Sequence, residues 1–463
     1  MIDYSRLQAA YETAKADLLA ERTPDGHWVG ELSTSALSTA TAVSALAIAQ
    51  KHRGTSSFDS LISGGIAWLV AHQNDDGGFG DTDKSYSNIA TTMLVVAAIH
   101  LAGQGEPHKA LLERAENYID SKGRLKGLRD RYGVDKTFVV PIMTNLALAG
   151  LVEWKDVSSL PFELACVPQS WYRFMRMPVV SYAIPALVAI GQCRYFHKKP
   201  WNPVARLVRS LSISRSLNVL RQMQPESGGY LEAVPLTSFV VMSLASTGRQ
   251  DHAVTREGIK FLVDSVRPDG SWPIDTNLAT WVTTLSINAL ASGGEDVAAL
   301  LGPQCLDWLL SCQHLKRHPF TGADPGGWGW SDLSGAVPDA DDTPGALLAL
   351  DAWRKSKSCI EDQKSRIEAS AEMGIKWLLG LQNRDGGWPT FCRGWGNLPF
   401  DRSGSDLTAH SIRAIELWCW RDNSNDKAMR QADFGLGFTL ENWHPDGSWL
   451  PLWFGNQDQA NDE

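Results

Sequence analysis

Three aspartates lie close together in the segment Pro338–Pro344, which reads Pro-Asp-Ala-Asp-Asp-Thr-Pro. Carboxyl groups crowded in this way repel one another when ionised, and the repulsion raises the pKa of at least one of them. A carboxyl that keeps its proton near neutral pH can act as a general acid. Asp339, Asp341 and Asp342 are therefore candidate catalytic residues for a reaction that begins with proton transfer.

The same segment also has the features of a helix N-terminus, so a structural role is the alternative. The small and apolar run Gly345–Leu350 predicts a helix, with Thr343 as its N-cap and Pro344 at its first position. Negative charge beside a helix N-terminus is stabilising by about 0.3–1 kcal/mol per group. A cap needs a single polar side chain, however, and the additional carboxyls favour an acid site.

Composition excludes several classes of protein. The 463 residues include 43 Lys and Arg against 52 Asp and Glu, a formal net charge of -9, so nothing points to nucleic acid as a partner. The seven cysteines are odd in number and scattered without a CxxC pair, which favours a reduced, cytoplasmic protein. We see no secretory signal and no apolar run of about 18 residues that would span a membrane.

Tryptophan is unusually frequent, with 19 residues against 14 phenylalanines and 9 tyrosines, and many indoles lie in a repeated motif. In each copy an apolar helical stretch runs into a turn that contains glycine and ends in an aromatic residue. Glycine stops the helix there because it tolerates the left-handed conformation. The aromatic residues of the seven copies are Trp28, Phe79, Tyr230, Trp272, Trp328, Trp388 and Trp449. The last four lie 56, 60 and 61 residues apart, which leaves room for two helices per repeat.

The helices expected after these turns are small and apolar on nearly every side, as in Ala36–Leu46, Ile89–Ala98 and Val282–Leu290. Such helices belong inside a bundle, with the more charged member of each pair outside. Repeats of this length are typical of stacked or ring-closed helical hairpins, none of which can bury its apolar face alone. The sequence therefore predicts an all-α protein built as α/α barrels.

Taken together, these motifs resemble those of the squalene–hopene cyclases and related class II terpene cyclases. The turns are similar to the family's Q-x-x-x-G-x-W repeats, and Asp339–Asp342 to its Asp-x-Asp-Asp acid motif. Leu160–Arg173 is similar to its P-x-E-L…S-W-x-R segment, and Ser405–His410 to its D-x-T-A-H segment. Gly326–Trp330 is similar to its glycine-aromatic run ahead of the acids. The resemblance extends over essentially the whole chain.

The resemblance implies two α/α (toroid) barrels, the second of them discontinuous. We expect residues 1–33 to join the second barrel, residues 34–278 to form the first, and residues 279–463 to form the part of the second that carries the acid motif. The family continues for roughly two repeats beyond the end of this chain. We therefore expect the second barrel to be incomplete at its C-terminus, and a truncated or degenerate, non-catalytic isoprenoid-binding relative is an alternative to an active cyclase.

The resemblance also assigns roles to the polar residues. Protonating an unactivated alkene needs an acid far stronger than an ordinary carboxyl, whose pKa is about 4. The family's proton donor is the middle aspartate, here Asp341, with Asp339 and Asp342 as flanking carboxylates. His410, oriented by Asp406 one helical turn earlier, is expected to form a hydrogen bond with Asp341 and to favour its ionised form. The alternative for His410 is an ordinary helical histidine at a cap or on the surface.

Cyclisation produces carbocations, which aromatic faces stabilise by about 0.5–2 kcal/mol per contact without offering a lone pair that would trap them. The resemblance nominates Trp330, Trp171, Trp281 and Phe391 as walls of the substrate pocket. The alternative for each is packing between repeats. The chain departs from the family at Val282, where the family has an aspartate next to the tryptophan, so a carboxylate is missing near the acids.

The expected substrate is a linear polyprene such as squalene, which an isomerase or lyase of this family cyclises without a cofactor or a metal ion. A triple-aspartate motif suits a plain alkene better than an epoxide. A shorter prenyl diphosphate or a meroterpenoid precursor is the alternative substrate, although the sequence has no DDxxD motif paired with an NSE-type motif for metal-triggered ionisation. A zinc-dependent protein prenyltransferase shares the fold, but Cys305, Cys312 and Cys392 lack aspartate and histidine at recognisable zinc-site spacing.

A membrane surface is the other expected partner, because the family takes its substrate from lipid. The apolar stretch Met177–Ile190 is too short to span a bilayer and precedes the basic residues Lys198, Lys199 and Arg206. We interpret it either as an interfacial anchor or as an inner helix with a solvated neighbour. A cytoplasmic protein, peripheral on the inner face of the membrane, fits the first interpretation; a homodimer is left open.

Overall fold

The computed structural model describes residues 3–132, 136–168, 171, 184–318, 322–390, 401–419 and 426–450. Within these ranges nearly all regular structure is helical, and the all-α prediction is confirmed. The α-helices are Tyr4–Ala20, Ala36–Arg53, Asp59–Ala71, Ile89–Leu101, Lys109–Ser121, Arg124–Tyr132, Lys136–Leu148, Ile184–His197, Pro203–Gln222, Val234–Leu244, Ala253–Asp264, Ala279–Ser292, Val297–Leu301, Pro303–Ser311, Asp342–Lys355, Glu361–Leu381, Ser405–Cys419 and Asp426–Glu441. Phe162–Cys166 and Tyr230–Glu232 form 3-10 turns, and Ala245–Arg249 is a π-helical turn.

The chain divides into two compact units, each with its own hydrophobic core. One comprises Glu31–Thr276 and Leu333–Gly335 and is called the 31–276 unit below. The other, called the acid unit, comprises Met1–Gly30, Asn277–Asp332 and Ala336–Leu452. The N-terminal helix belongs to the acid unit, where Tyr11 and Lys15 each donate a hydrogen bond of 2.9 Å to Glu295.

The predicted inner helices are found where the apolar runs place them, although each is longer than its run. Ala36–Arg53 and Ile89–Leu101 are buried along most of their length, because nearly every face carries alanine, valine, threonine or isoleucine. Their starts are capped: Ser35 Oγ accepts the Ser38 N–H at 3.1 Å, and Asn88 Oδ1 accepts the Thr91 N–H at 2.9 Å.

The aromatic turns close with a glycine in the left-handed region, as predicted. The seven glycines have φ between +84° and +123°: Gly26, Gly77, Gly228, Gly270, Gly326, Gly386 and Gly447. In all five tryptophan turns the indole N–H then donates to a carbonyl of the helix that precedes the turn. Trp272 donates to Leu262 at 2.7 Å and Trp388 to Leu378 at 2.8 Å. The indole therefore ties each turn to its own helix.

In six of the seven turns, a threonine on an inner helix ties the turn to that helix. Its hydroxyl oxygen accepts the backbone N–H of the aromatic residue at 2.9 Å in the pairs Phe79–Thr92, Tyr230–Thr237, Trp328–Thr343 and Trp388–Thr408. Two pairs join distant parts of the sequence, at 3.0 Å each: Trp28 with Thr283, and Trp272 with Thr39. In the 31–276 unit, Thr34–Ser35 and Trp272–Pro273 add a two-residue antiparallel pairing that joins its first and last repeats.

None of the helices in the described ranges combines the length and the hydropathy that a membrane crossing requires. Residues 177–183 of the predicted anchor Met177–Ile190 lie outside the described part of the chain. Its remainder, Ile184–Ile190, begins the helix Ile184–His197, and Ile184, Val188 and Ile190 are buried in the 31–276 unit. That remainder is therefore an inner helix.

Candidate active site

The acid segment is held between two aromatic turns of the acid unit by backbone hydrogen bonds. The Asp339 N–H donates to the Trp328 carbonyl at 3.0 Å, and the Ala340 N–H donates to the Thr390 carbonyl at 2.8 Å. Thr390 follows the Trp388 turn directly. On the other side of the acids, Thr343 Oγ1 accepts the Trp328 N–H at 2.9 Å. The position of the aspartates is thus fixed by two main-chain hydrogen bonds at Asp339 and Ala340 and by the Thr343 hydroxyl on the other side.

Two glycines of the run Gly326–Trp330 allow this close approach. A Cβ atom at Gly329 would lie 2.5 Å from the Val337 carbonyl oxygen, and one at Gly327 would lie 3.0 Å from Cβ of Pro338. A side chain at Gly329 would push the acid segment away from the turn, and one at Gly327 would also collide with the Trp377 ring, at 2.8 Å. Close packing against the acid segment therefore explains why glycine occupies these positions in the run ahead of the acids.

The helix that follows the acids, called the acid helix below, spans Asp342–Lys355, and Asp341 occupies its N-cap position. The prediction that Thr343 is the N-cap is therefore wrong. The capping group is the Asp339 carboxylate, whose Oδ1 accepts the N–H groups of Asp341 at 2.9 Å and Asp342 at 2.7 Å. Because this carboxylate satisfies the helix start, the Thr343 hydroxyl bonds to the Trp328 carbonyl instead, at 3.1 Å.

Asp339 is the most deeply buried of the three acids, with 2% of its surface exposed. Burial, followed by repulsion from Asp341, raises the pKa of Asp339 to about 7, and the two backbone N–H groups that it accepts oppose the shift only in part. Near neutral pH, the Asp339 carboxyl is therefore protonated in part of the molecules and ionised in the rest. The expectation that it is an ionised flanking carboxylate applies only above that pH.

Asp341 differs from its neighbours because its side chain is exposed to solvent, whereas Asp339 and Asp342 are buried. Protein nevertheless surrounds the carboxyl closely enough for desolvation to raise the pKa of Asp341, and the negative charge of Asp406 raises it further. A group that is accessible and yet desolvated lies in a recess. Of the three aspartates, Asp341 is thus the one that can contact a substrate while retaining a proton above the usual pH range.

His410 lies beside the start of the acid helix, on the helix Ser405–Cys419, which is called the histidine helix below. Its Nε2 atom is 3.6 Å from the position that a Cβ atom on Gly345 would occupy. Burial, reinforced by the charge of Arg413 and opposed by that of Asp406, lowers the pKa of His410 to about 4. The imidazole is therefore neutral at pH 7. The described residues show no hydrogen bond between His410 and Asp341, so that bond stays a prediction.

The first turn of the helix Ala279–Ser292 places two of the predicted aromatic residues next to each other. The Trp330 carbonyl accepts the N–H groups of Thr280 at 3.1 Å and Trp281 at 3.2 Å. Asn277 Oδ1 accepts the Ala279 N–H at 2.9 Å and the Ser331 hydroxyl at 3.0 Å, which fixes the same junction. Trp330 is buried, and Trp281 is partly exposed.

The remaining predicted residues lie elsewhere. Trp171 belongs to the 31–276 unit and is 62% exposed, and Phe391 lies outside the described residues. Val282 packs against Gly30, where its Cγ1 atom is 3.0 Å from the position that a Cβ atom on Gly30 would occupy.

Two of the cysteines considered for a zinc site are Cys305, which is buried, and Cys312, which is partly buried. Burial raises the pKa of Cys305 to about 11 and that of Cys312 to about 12, so both thiols stay protonated at neutral pH. Within the described ranges, no three His, Cys, Asp or Glu side chains are grouped as metal ligands would be.

Sequence reasoning missed Gly345 and Asn277. Gly345 leaves space for His410, and Asn277 holds the start of the Trp281 helix. Asn277 has a local signal, since an asparagine two residues before a helix start commonly accepts a backbone N–H. Gly345 has none, because its role depends on which distant helix lies against it.

Two family models match the sequence. The model of the squalene–hopene cyclase N-terminal domain matches residues 11–212, and that of the C-terminal domain matches residues 277–457. The chain belongs to the squalene–hopene cyclase family. Membership confirms the predicted class II terpene cyclase relationship and the toroid fold class.

Individual relatives are distant but match over most of the chain. The squalene–hopene cyclase of Bradyrhizobium diazoefficiens is 23% identical over 96% of this chain and 74% of its own length. Sporulenol synthase of Bacillus subtilis is 24% identical over 85% of this chain and 68% of its own length. Enfumafungin synthase of Hormonema carpetanum is 23% identical over 94% of this chain, which spans only 37% of that protein.

We predict that Asp339→Asn removes a pH dependence of stability. A carboxyl whose folded pKa is about 7 stabilises the fold below its unfolded pKa of 3.8, and this stabilisation is lost as the pH rises through about 7. Asparagine keeps an oxygen that can accept the two N–H groups but does not titrate. Urea unfolding midpoints of the wild type should therefore fall relative to those of the variant between pH 4 and pH 7. Parallel curves over that range would show that Asp339 titrates normally.

Proposed function

We propose that this chain is a class II triterpene cyclase that starts cyclisation by protonating a terminal alkene of squalene or a similar linear polyprene. The observation that carries the proposal is the contrast among the three aspartates. Asp341 is exposed in a recess with a raised pKa, while Asp339 and Asp342 are buried beside it. A carboxylic acid that stays protonated and can be reached by a hydrophobic substrate is what this chemistry requires.

In the proposed reaction the Asp341 O–H bond breaks and its proton adds to the terminal alkene carbon. The electron pair of the alkene forms the new C–H bond, and the cation left on the adjacent carbon is attacked by the next alkene. Ring closures follow until the final cation loses a proton or adds water. The Asp341 carboxylate then recovers a proton from solvent, to which its side chain is exposed.

Neighbouring groups have separate roles in this proposal. His410 is neutral at pH 7 and approaches the first turn of the acid helix, so it can accept or donate a hydrogen bond without adding a positive charge that would oppose the cation. Trp330 and Trp281, joined through the Trp330 carbonyl, would present aromatic faces to the cation. Trp171 and Phe391 are proposed as pocket residues from the family resemblance.

The names of the relatives support the substrate class. They are squalene–hopene cyclases, a sporulenol synthase and an enfumafungin synthase, so the family members similar to this chain differ in product. We assign squalene as the first substrate to test and keep geranylgeranyl diphosphate as the test of the shorter, phosphorylated alternative. The expected division into barrels of residues 34–278 and 279–463, with residues 1–33 joining the second, is part of the same proposal.

We predict that wild-type protein incubated with squalene in deuterated water yields a cyclic product that carries one deuterium. Asp341→Asn cannot donate the proton and should lower turnover by at least about 1,000-fold. The control is Asp307→Asn, which removes an exposed carboxyl that pairs with Arg366 on the surface of the acid unit. Product mass and deuterium content are read by mass spectrometry. Product formation by Asp341→Asn at the wild-type rate contradicts the assignment, and no product from any polyprene with a folded wild type favours a non-catalytic isoprenoid-binding role.

Membrane association is the second part of the proposal, and it rests on the helix Pro203–Gln222. Four apolar side chains on this helix are between 46% and 74% exposed, and Trp201, just before it, is 92% exposed. Their spacing of three or four residues places them on one face: Val204, Leu207, Val208 and Leu211. Lys198, Lys199 and Arg206 are exposed nearby in the sequence and would meet anionic headgroups.

We predict that Leu211→Glu weakens binding to vesicles of phosphatidylcholine and phosphatidylglycerol. Burying one leucine is worth about 1.5–3 kcal/mol, so the partition coefficient should fall at least about tenfold in a co-sedimentation assay. Leu7→Glu is the matched control, because Leu7 is also an exposed leucine on a helix, at 54%. Equal effects of the two substitutions, or no sedimentation of the wild type, would exclude this surface as the membrane site.

A further inference from the structure

Three helices of the acid unit meet at Gly345, on the first turn of the acid helix. Asn288, from the helix Ala279–Ser292, donates its side-chain N–H to the Gly345 carbonyl at 3.3 Å. Thr284 of the same helix and His410 of the histidine helix lie 3.2 and 3.6 Å from the position of a Cβ atom on Gly345. The absence of a side chain at Gly345 lets all three helices come together beside the acids.

The histidine helix makes a second contact with the acid helix, through Trp418. Its indole N–H donates to the Leu347 carbonyl at 3.0 Å. The ring also lies under the Arg354 guanidinium, whose carbon is 4.6 Å from the ring centroid. Arg354 is held in turn by the buried carboxylate of Asp351, at 2.6 Å. Trp418 thus contacts the acid helix through a hydrogen bond and a cation-π interaction.

These two contacts fix one position of the histidine helix. His410 and Trp418 are eight residues apart, which is about 12 Å along a helix axis, yet they reach Gly345 and Leu347, which are about 3 Å apart along theirs. His410 and Trp418 are far apart on the histidine helix but contact the same turn of the acid helix. The histidine helix therefore has little freedom to slide or rotate against the acid helix. The imidazole is therefore held by a contact two turns away.

We propose that Trp418 is a positioning residue: by binding the Leu347 carbonyl and the Arg354 guanidinium, it sets the register of the histidine helix and holds His410 against Gly345, on the first turn of the acid helix. A role of the His410 position in catalysis rests on the proposed function. The effect of Trp418 on that position does not depend on the proposed function, and it can be measured without a substrate.

The test is Trp418→Phe, which keeps an aromatic ring for Arg354 but removes the N–H donor. The primary measurement is the titration of His410 by NMR in protein labelled with carbon-13 histidine, with its signal assigned by its loss in His410→Asn. In the wild type, burial and Arg413 lower the pKa of His410 to about 4, against the opposing charge of Asp406. When the helix shifts and water reaches the ring, the midpoint should rise by at least about one unit towards its ordinary value of about 6.5.

Trp272→Phe is the matched control. The wild-type Trp272 indole N–H also donates to a helix carbonyl, that of Leu262 at 2.7 Å, but Trp272 lies in the 31–276 unit. The Trp272→Phe substitution should therefore leave the His410 midpoint unchanged. Arg354→Gln is a milder second variant that removes the cation and leaves the indole donor, and it should shift the midpoint in the same direction by a smaller amount. It decides the matter if Trp418→Phe does not fold.

A turnover measurement separates this inference from the proposed function. If the wild type cyclises squalene, kcat of Trp418→Phe should fall about tenfold while KM stays unchanged, because the substrate surface is not altered. If the wild type cyclises nothing, the proposed function fails while the titration still reports on Trp418. A His410 midpoint that is the same in the wild type and in every variant that folds would overturn the positioning role.

Discussion

The candidate site depends on main-chain hydrogen bonds between an acid segment and the two aromatic turns beside it. Asp339 and Ala340 donate to the Trp328 and Thr390 carbonyls, and the Trp328 N–H is taken by Thr343 on the far side of the acids. The bonds of Asp339 and Ala340 join main-chain atoms only, so they do not depend on side-chain rotamers, and the bond of Trp328 goes to the Thr343 hydroxyl. The same turn-to-threonine bond recurs in both units, which means that the site uses the structural bond of the repeat.

Fixing the segment in this way gives neighbouring carboxyls different properties. Asp339 Oδ1 caps the acid helix and is buried, whereas Asp341, two residues later, is exposed in a recess. Desolvation raises the pKa of both groups, but only one of them can be reached by a substrate. In the proposed function, buried Asp339 can therefore hold a proton while accessible Asp341 delivers one, although only one residue separates them. In the proposed function, neutral His410 adds no positive charge that would oppose a cation, and Trp330 and Trp281, joined through the Trp330 carbonyl, offer aromatic faces to it.

Local patterns predicted the elements that depend on local physics. The inner helix at Ile89 starts where the apolar run starts, and each repeat turn has its left-handed glycine. Thr343 was predicted as a cap because its type and position suit one, but a carboxylate from outside the helix takes that role. The threonines that bind the turns were not predicted, since they follow their aromatic residue by 7 to 20 residues or lie more than 200 residues away. Gly345 and Trp418 were missed because their contacts exist only after three helices pack.

The central claim is that Asp341 retains a proton at a pH where an ordinary aspartate is ionised. Infrared titration of protein with carbon-13 in its aspartate carboxyls tests this directly, in an Asp339→Asn background that removes the raised carboxyl of Asp339. We predict a protonated C=O band that persists to a higher pH than the bands of ordinary aspartates, whose pKa is about 3.9, and that is absent when Asp341→Asn is added. A band that disappears together with those of ordinary aspartates, or one unaffected by Asp341→Asn, would contradict Asp341 as the proton donor.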